Sequence, residues 1–207
     1  MSTSLRTRRY TLLGPSGFRT MPWKNGGGRT TEIMVRPHGA GLADFAWRIS
    51  IADVERDGPF SAFPGVDRTL VLLAGKGMRL SGPQGGTDLC APFDAVTFRG
   101  EDTLDCALRD GPTRDFNLMV RRDAVRGVLA VVREATQLFA ANDTLACYAA
   151  AGPLECVLDD GERVAVRQGE LLLMEGAGAA CKVRVRPVAA GGAALVCTIG
   201  DAAGRPA

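Results

Sequence analysis

Glycine and proline punctuate this chain throughout. The 26 Gly and 11 Pro among 207 residues cut the apolar residues into short segments roughly 8 to 12 residues apart, the spacing of strands and turns in a sandwich or barrel. The expected class is all-β. Strands are expected at 31–35, 45–52, 69–73, 95–98, 105–108, 116–121, 144–149, 155–158, 164–166, 170–174, 181–186 and 194–199, where apolar residues alternate or β-branched ones accumulate. The segment 122–139 is ambiguous. Val125, Val128, Leu129, Val132, Ala135 and Leu138 fall at helical spacings, but Gly127 and the valines favour a strand over 127–133. Read as a strand, it links two halves of similar outline, 68–80 with 94–108 and 144–158 with 169–185. Each half has a strand, a glycine-containing turn and a strand led by an acidic residue, which suggests two stacked small barrels.

Composition narrows the function classes. Apolar residues make up 46% and charged residues 23%, so the chain can bury a core and is expected to fold. The formal charge of +2, from 25 Lys+Arg against 23 Asp+Glu, offers no field for DNA or an anionic bilayer. Neither nucleic acid nor membrane is an expected partner. No apolar run resembles a signal-peptide core or approaches the roughly 18 residues of a membrane span, and a cytoplasmic location is expected. Cys90, Cys106, Cys147, Cys156, Cys181 and Cys197 contain no C-x-x-C pair and are expected to be reduced, buried thiols that pack as small hydrophobes.

The chain has one histidine, His38, in a Pro-His-Gly turn, where an exposed imidazole is expected. A multi-histidine metal site cannot be built within one subunit, and neither a metal nor any other cofactor is expected. The absence of a G-x-S-x-G elbow also argues against triad hydrolysis. Gly26-Gly27-Gly28 follows Met21-Pro22-Trp23-Lys24-Asn25. Three glycines are costly in backbone entropy and imply either a tight Asn-Gly hairpin or a loop that something approaches closely. A phosphate-binding P-loop does not fit, because Lys24 precedes the glycines. Alternation sets Arg48 opposite Phe45, Trp47, Ile49 and Ile51, puts Arg68 on one face with Leu70 and Leu72, and groups Asn117, Met119 and Arg121. Arginine and asparagine converging inside a small barrel suit a carboxylate or amide, because the guanidinium forms fork-shaped bonds. The alternative is that Arg48 and Arg68 pair with Asp53, Asp67 or Asp115 to tie strands together.

Four motifs carry a resemblance. Met21-Pro22-Trp23-Lys24-Asn25-Gly26-Gly27-Gly28 with Thr30, Glu32 and Ile33 is the first, and Trp47-Arg48-Ile49-Ser50 with Ala52 is the second. The others are Asp57-Gly58-Pro59-Phe60-Ser61 with Phe63-Pro64-Gly65 and Asp67-Arg68, and Asp115-Phe116-Asn117-Leu118-Met119 with Arg121-Arg122. Together they closely resemble the HutD/Ves family. The resemblance spans most of the chain, with sharp motifs over 20–122. It implies an all-β double cupin of two jelly-roll-like, RmlC-like halves, here divided at 1–125, with the ligand pocket, and 126–207. It also implies an association with bacterial histidine utilisation, as a governor sensing an acidic intermediate such as N-formylglutamate or formiminoglutamate. Aligning the first motif of metal-dependent cupins on Gly75 puts Arg68 where the metal-binding glutamate would be, and Ser61 and Phe63 or their neighbours where the two histidines would be. The second motif's histidine, due near 102–104, is missing. From the resemblance, Trp23 and Asn25 are expected at the pocket rim, Arg48, Arg68 and Asn117 as its polar grip, and Phe60 and Phe63 as its apolar wall. No catalytic residue is assigned.

Three functions compete. The first is a ligand-binding regulator without turnover. The second is a metal-free enzyme acting on a formylated or formiminated amino acid, with Glu32 or Asp115 as general base. The third is a structural or oligomerisation module, since cupins often dimerise through exposed strands, or a Ves-like stress-associated protein.

Overall fold

A computed structural model describes residues 10–140, 143–175 and 181–202. The basic N-terminal stretch 1–9 and the Cys181 side chain lie outside the described residues. The strands, in chain order, are β1 (Thr11–Leu13), β2 (Arg19–Pro22), β3 (Gly28–Arg36), β4 (Trp47–Val54), β5 (Gly58–Pro59), β6 (Val66–Ala74), β7 (Met78–Gly82), β8 (Gly85–Leu89), β9 (Ala95–Arg99), β10 (Asp105–Leu108), β11 (Thr113–Arg121), β12 (Val125–Val132), β13 (Thr136–Ala140), β14 (Thr144–Ala151), β15 (Leu154–Leu158), β16 (Arg163–Val166), β17 (Leu171–Glu175), β18 (Cys181–Pro187) and β19 (Ala193–Asp201). A 3-10 turn, Pro15–Gly17, separates β1 from β2. No helix among the described residues is long and apolar enough to cross a membrane. The fold is the all-β double cupin expected.

The chain divides into two compact units, 16–129 with 200–202, and 10–15 with 130–199. The first unit has a six-stranded antiparallel sheet in the order β2-β3-β4-β11-β6-β9 and a four-stranded one in the order β5-β10-β7-β8. Ala52, Val54, Leu70 and Leu72 of the larger sheet meet Met78, Leu80, Leu89 and Cys106 of the smaller in one core. The second unit repeats the plan, with β1, β17, β14, β19 up to Ile199 and the last residues of β12 in one sheet and β13-β18-β15-β16 in the other. Leu145, Cys147, Leu172 and Val196 pack there on Leu154, Cys156, Val183 and Val185.

β4 and β11 are central strands buried on both faces, and their inner-facing positions include the polar residues Arg48, Ser50, Asp115 and Asn117. β9 lies at the edge and alternates exposed and half-buried residues. The ambiguous segment 122–139 forms β12 and β13, not a helix. Val128 of β12 is 67% exposed, so the apolar residues that mimicked a helical stripe lie on both faces of a strand.

The cysteine expectation needs a correction. Cys106, Cys147, Cys156 and Cys197 are buried free thiols, but Cys90 is exposed, because the chain leaves the sheet immediately after Leu89.

The three glycines form the hairpin between β2 and β3. Trp23 N donates to Gly28 O at 2.9 Å, Gly26 N to Trp23 O at 3.1 Å and Gly27 N to Asn25 Oδ1 at 3.0 Å. Gly26 has φ +66°, and a Cβ on Gly28 would lie 2.2 Å from the Asp53 carbonyl oxygen. One glycine provides the turn and another lets two backbones approach.

Candidate functional site

The site is assembled by strand register on the inner face of the six-stranded sheet. One row across β4, β11, β6 and β9 runs Arg48, Met119, Arg68, Phe98. The next, across β3 to β6, runs Glu32, Ser50, Asn117, Leu70, and a third runs Thr30, Ala52, Asp115, Leu72. A bulge between Glu32 and Met34 adds a residue to β3, so Glu32 and Val35, three apart, both come to the Arg48 face. Polar residues recur in all three rows, interleaved with Ala52, Leu70 and Leu72 of one apolar cluster and with Met119, which packs with Val35, Phe45 and Val66 in another.

Arg68 is 8% exposed and Arg48 4% exposed. The two are held differently. Arg48 Nε donates to Glu32 Oε2 at 2.7 Å, and its Nη1 reaches Ser50 Oγ at 3.4 Å. Arg68 makes no ion pair among the described residues. Its Nη2 donates to Asn117 Oδ1 at 3.1 Å, its Nη1 to Ser61 O at 3.4 Å, and its buried Nε has no partner. Three rings crowd the guanidinium, with centroids at 5.3 Å for Phe60, 5.5 Å for Phe63 and 4.9 Å for Phe98. Such contacts partly replace lost hydration. The loop carrying Phe60 and Phe63 is tied down where Phe60 N donates to Leu104 O at 2.8 Å and Phe63 N to Gly100 O at 2.6 Å.

Asn117 bridges Arg68 to Asp115. Its Nδ2 donates to Asp115 Oδ1, and Asp115 Oδ2 is buried without a partner. Burial pushes the Asp115 carboxyl up to about 7, against the opposing pull of Arg68 and the Asn117 bond, while Asp53 pushes it further up. Burial also brings the Arg68 guanidinium down to about 10, with Asp115 acting to raise it and Arg48 to lower it. The interior therefore holds an unused N–H donor and an unused carboxylate oxygen, joined by one amide.

The sequence-derived residues are placed as follows. Arg48, Arg68 and Asn117 are buried on one face, with Phe60 and Phe63 against Arg68. Trp23 is half-buried against the same core as Phe60, and its Nε1 donates to Thr30 Oγ1 at 2.7 Å. Asn25 is exposed and uses its Oδ1 within its own turn. Of the strand-tying alternative's carboxylates, Asp67 pairs with Arg122 and Asp53 with Arg29 and Arg114, while Arg48 pairs with Glu32; Asp115 is linked to Arg68 through Asn117 rather than by a direct ion pair. Sequence reasoning does not single out Phe98, although its place near the end of an alternating strand is a usable signal. Glu32 enters the sequence reading only as a base. Its pairing depends on the bulge, which leaves no mark in the sequence.

Two cavities lie near this face, and neither is lined by Arg48, Arg68 or Asn117. One, of about 410 Å³, is lined by Ser61, Phe63, Val66 and Arg121 among others, and so shares two residues with the Arg68 cage. The other, of about 480 Å³, lies at the far end of the same strands, beside Gly75, Thr113 and Arg114. The residues do not suit the metal of metal-dependent cupins. Two guanidinium groups face the site, and no three His, Cys, Asp or Glu side chains group around a metal position among the described residues.

A family model described as HutD matches residues 16–193. An uncharacterized protein in the hutC 3′ region of Pseudomonas putida is 38% identical over 165 residues, covering 80% of this chain and 86% of that one. Protein Ves of Citrobacter koseri is 38% identical over 126 residues, 59% of this chain and 63% of that protein. Among solved structures, HutD from Pseudomonas fluorescens SBW25 superposes with a TM-score of 0.80 at 29% identity, covering 93% of this chain and 98% of the other.

Proposed function

Because the chain belongs to the HutD family, we propose that it is a cytoplasmic regulatory protein of histidine utilisation that binds a small acidic metabolite at Arg68 without turning it over. N-formylglutamate and formiminoglutamate are the candidate ligands. The observation that carries this reading is the unpartnered Nε of a guanidinium only 8% exposed. Leaving a buried charged donor without an acceptor is costly, and a carboxylate would satisfy it. The place of the Pseudomonas putida relative in the hutC 3′ region supports the pathway. The ligand enters from the 410 Å³ cavity by displacing Phe63, the side chain shared by cavity and cage.

The test is titration calorimetry with N-formyl-L-glutamate, formiminoglutamate, glutamate and urocanate, on the protein and on Arg68→Ala, with recovery of the ligand afterwards. Saturable binding that Arg68→Ala removes, with ligand recovered intact, supports the reading. No binding by any of the four refutes it and favours a structural module. One observation favours a metal-free enzyme instead: the free Asp115 Oδ2, on a carboxyl raised to about 7, is poised to serve as a base. Consumption of the ligand in the same experiment would select that reading.

A further inference from the structure

Charge balance around Asp115 leads one step beyond ligand binding. Arg48 already has Glu32 at 2.7 Å. Asp53, on β4, is held by Arg29 at 2.9 Å and Arg114 at 3.6 Å. From the four-stranded sheet, β10 brings the Cys106 thiol toward Asp115, and burial raises that thiol to about 12, so it stays neutral and contributes no charge. Asp57 lies beyond it and accepts from Leu108 N at 2.8 Å. What remains is one cation, Arg68, and one carboxylate, Asp115, communicating through the Asn117 amide.

We infer that the site takes up its acidic ligand together with one proton, which comes to rest on Asp115 Oδ2. The inference rests on the proposed site. A carboxylate docking on Arg68 Nε places two anions around one guanidinium in an interior with little solvent, and such a pair cannot both stay ionised. The ligand carboxylate touches the guanidinium directly and keeps its charge. Asp115 touches it only through an amide, and burial has already brought its carboxyl to about 7, so it is the group that yields. The proton comes from solvent and adds to the unpartnered oxygen. An idle acceptor becomes a donor, available to a second oxygen of the ligand or to Thr113 Oγ1, which is also unpartnered and two residues away along β11.

The experiment is calorimetric titration of the full chain with N-formyl-L-glutamate in two buffers of different ionisation enthalpy, at about pH 6 and about pH 8. Expected is uptake of about one proton per ligand at the higher pH and little at the lower, with affinity falling about tenfold per pH unit above about 7. Asp115→Asn should bind with an affinity that no longer depends on pH. Saturable binding without proton uptake at about pH 8 overturns this inference and leaves the binding site intact. No binding at either pH overturns both. A pH slope that persists in Asp115→Asn would put the proton on another group and also overturn the inference. The wild-type titrations decide the matter even if that variant fails to fold.

Discussion

Asp115→Asn tests the electrostatics of the site through stability alone. In the folded protein the carboxyl is raised from 3.8 to about 7, chiefly by burial. The native state therefore holds this proton more tightly than the unfolded chain does. The resulting stabilisation is fully present below about pH 3.8 and is lost as pH rises through about 7. That rise corresponds to about 4 kcal/mol in all, of which about 3 kcal/mol is lost between about pH 5 and about pH 8. The substituted amide cannot ionise, so the variant should gain about 3 kcal/mol relative to wild type over that interval. The full figure applies without a screening discount, because Asp115 is 0% exposed. The assay is urea unfolding followed by tryptophan fluorescence at both pH values. Trp23 and Trp47 both lie in the unit that holds Asp115, so the signal reports the relevant transition. Taking the difference between the two proteins also removes Asp88, Glu101 and Glu155, whose carboxyls are held below their ordinary values by arginines or backbone hydrogen bonds and whose contributions run the opposite way with pH. A difference constant within about 0.5 kcal/mol across the interval would refute the reasoning, because Asp115 would then titrate like an exposed carboxylate.

Other perturbations follow from single contacts. Arg48→Met strips the counter-charge from Glu32, a pair with side chains 5% and 17% exposed. A loss of about 3 kcal/mol is expected by the same unfolding assay, and Arg48→Met combined with Glu32→Leu should recover most of it. Gly28→Ala drives a Cβ to 2.2 Å from the backbone of a central strand and should cost about 3 kcal/mol or prevent folding. In contrast, Gly17→Ala, where a Cβ would meet nothing within 4 Å, should stay within about 0.5 kcal/mol of wild type. A thiol reagent such as DTNB should modify Cys90 quickly and Cys106 and Cys197 only on unfolding, because burial raises both of the latter thiols. Cys90→Ser should remove one fast equivalent.

Which elements are legible in the sequence follows from how each is stabilised. β4, β6, β11, β14 and β19 announce themselves because they are long enough to show apolar residues in alternation or in runs of three or more. β1, β2, β5, β7, β8 and β13 carry no such signal. They are short, and several contain glycine or proline, so pairing with a neighbour rather than their own composition makes them strands. The burial of Arg48, Arg68 and Asn117 is legible for the same reason as β4, β6 and β11, since period two fixes a face once a strand is recognised. The contacts of these residues are less so. Those of Arg48 depend on a one-residue bulge in β3, and those of Arg68 on a loop whose phenylalanines are placed by backbone bonds to 100–104.

The Arg68 guanidinium carries five N–H donors, and two of them have an acceptor among the described residues. Phe60, Phe63 and Phe98 crowd it, Nη1 donates one hydrogen to Ser61 O, Nη2 donates one to Asn117 Oδ1, and Nε donates to nothing. A ligand carboxylate that stops at Nε gains a single bond. Forked binding to Nε and Nη2, the stronger geometry, brings the ligand beside the Asn117 oxygen, which already accepts from Nη2. The same amide holds Asp115 through its other end, so it cannot turn away from Arg68 without disturbing the Asp115 contact. The more firmly an anion grips Arg68, the less of that cation's influence reaches Asp115, and the more Asp115 favours its protonated form. In the proposed site, ligand docking and carboxyl protonation are therefore coupled through the one buried amide that touches both Arg68 and Asp115.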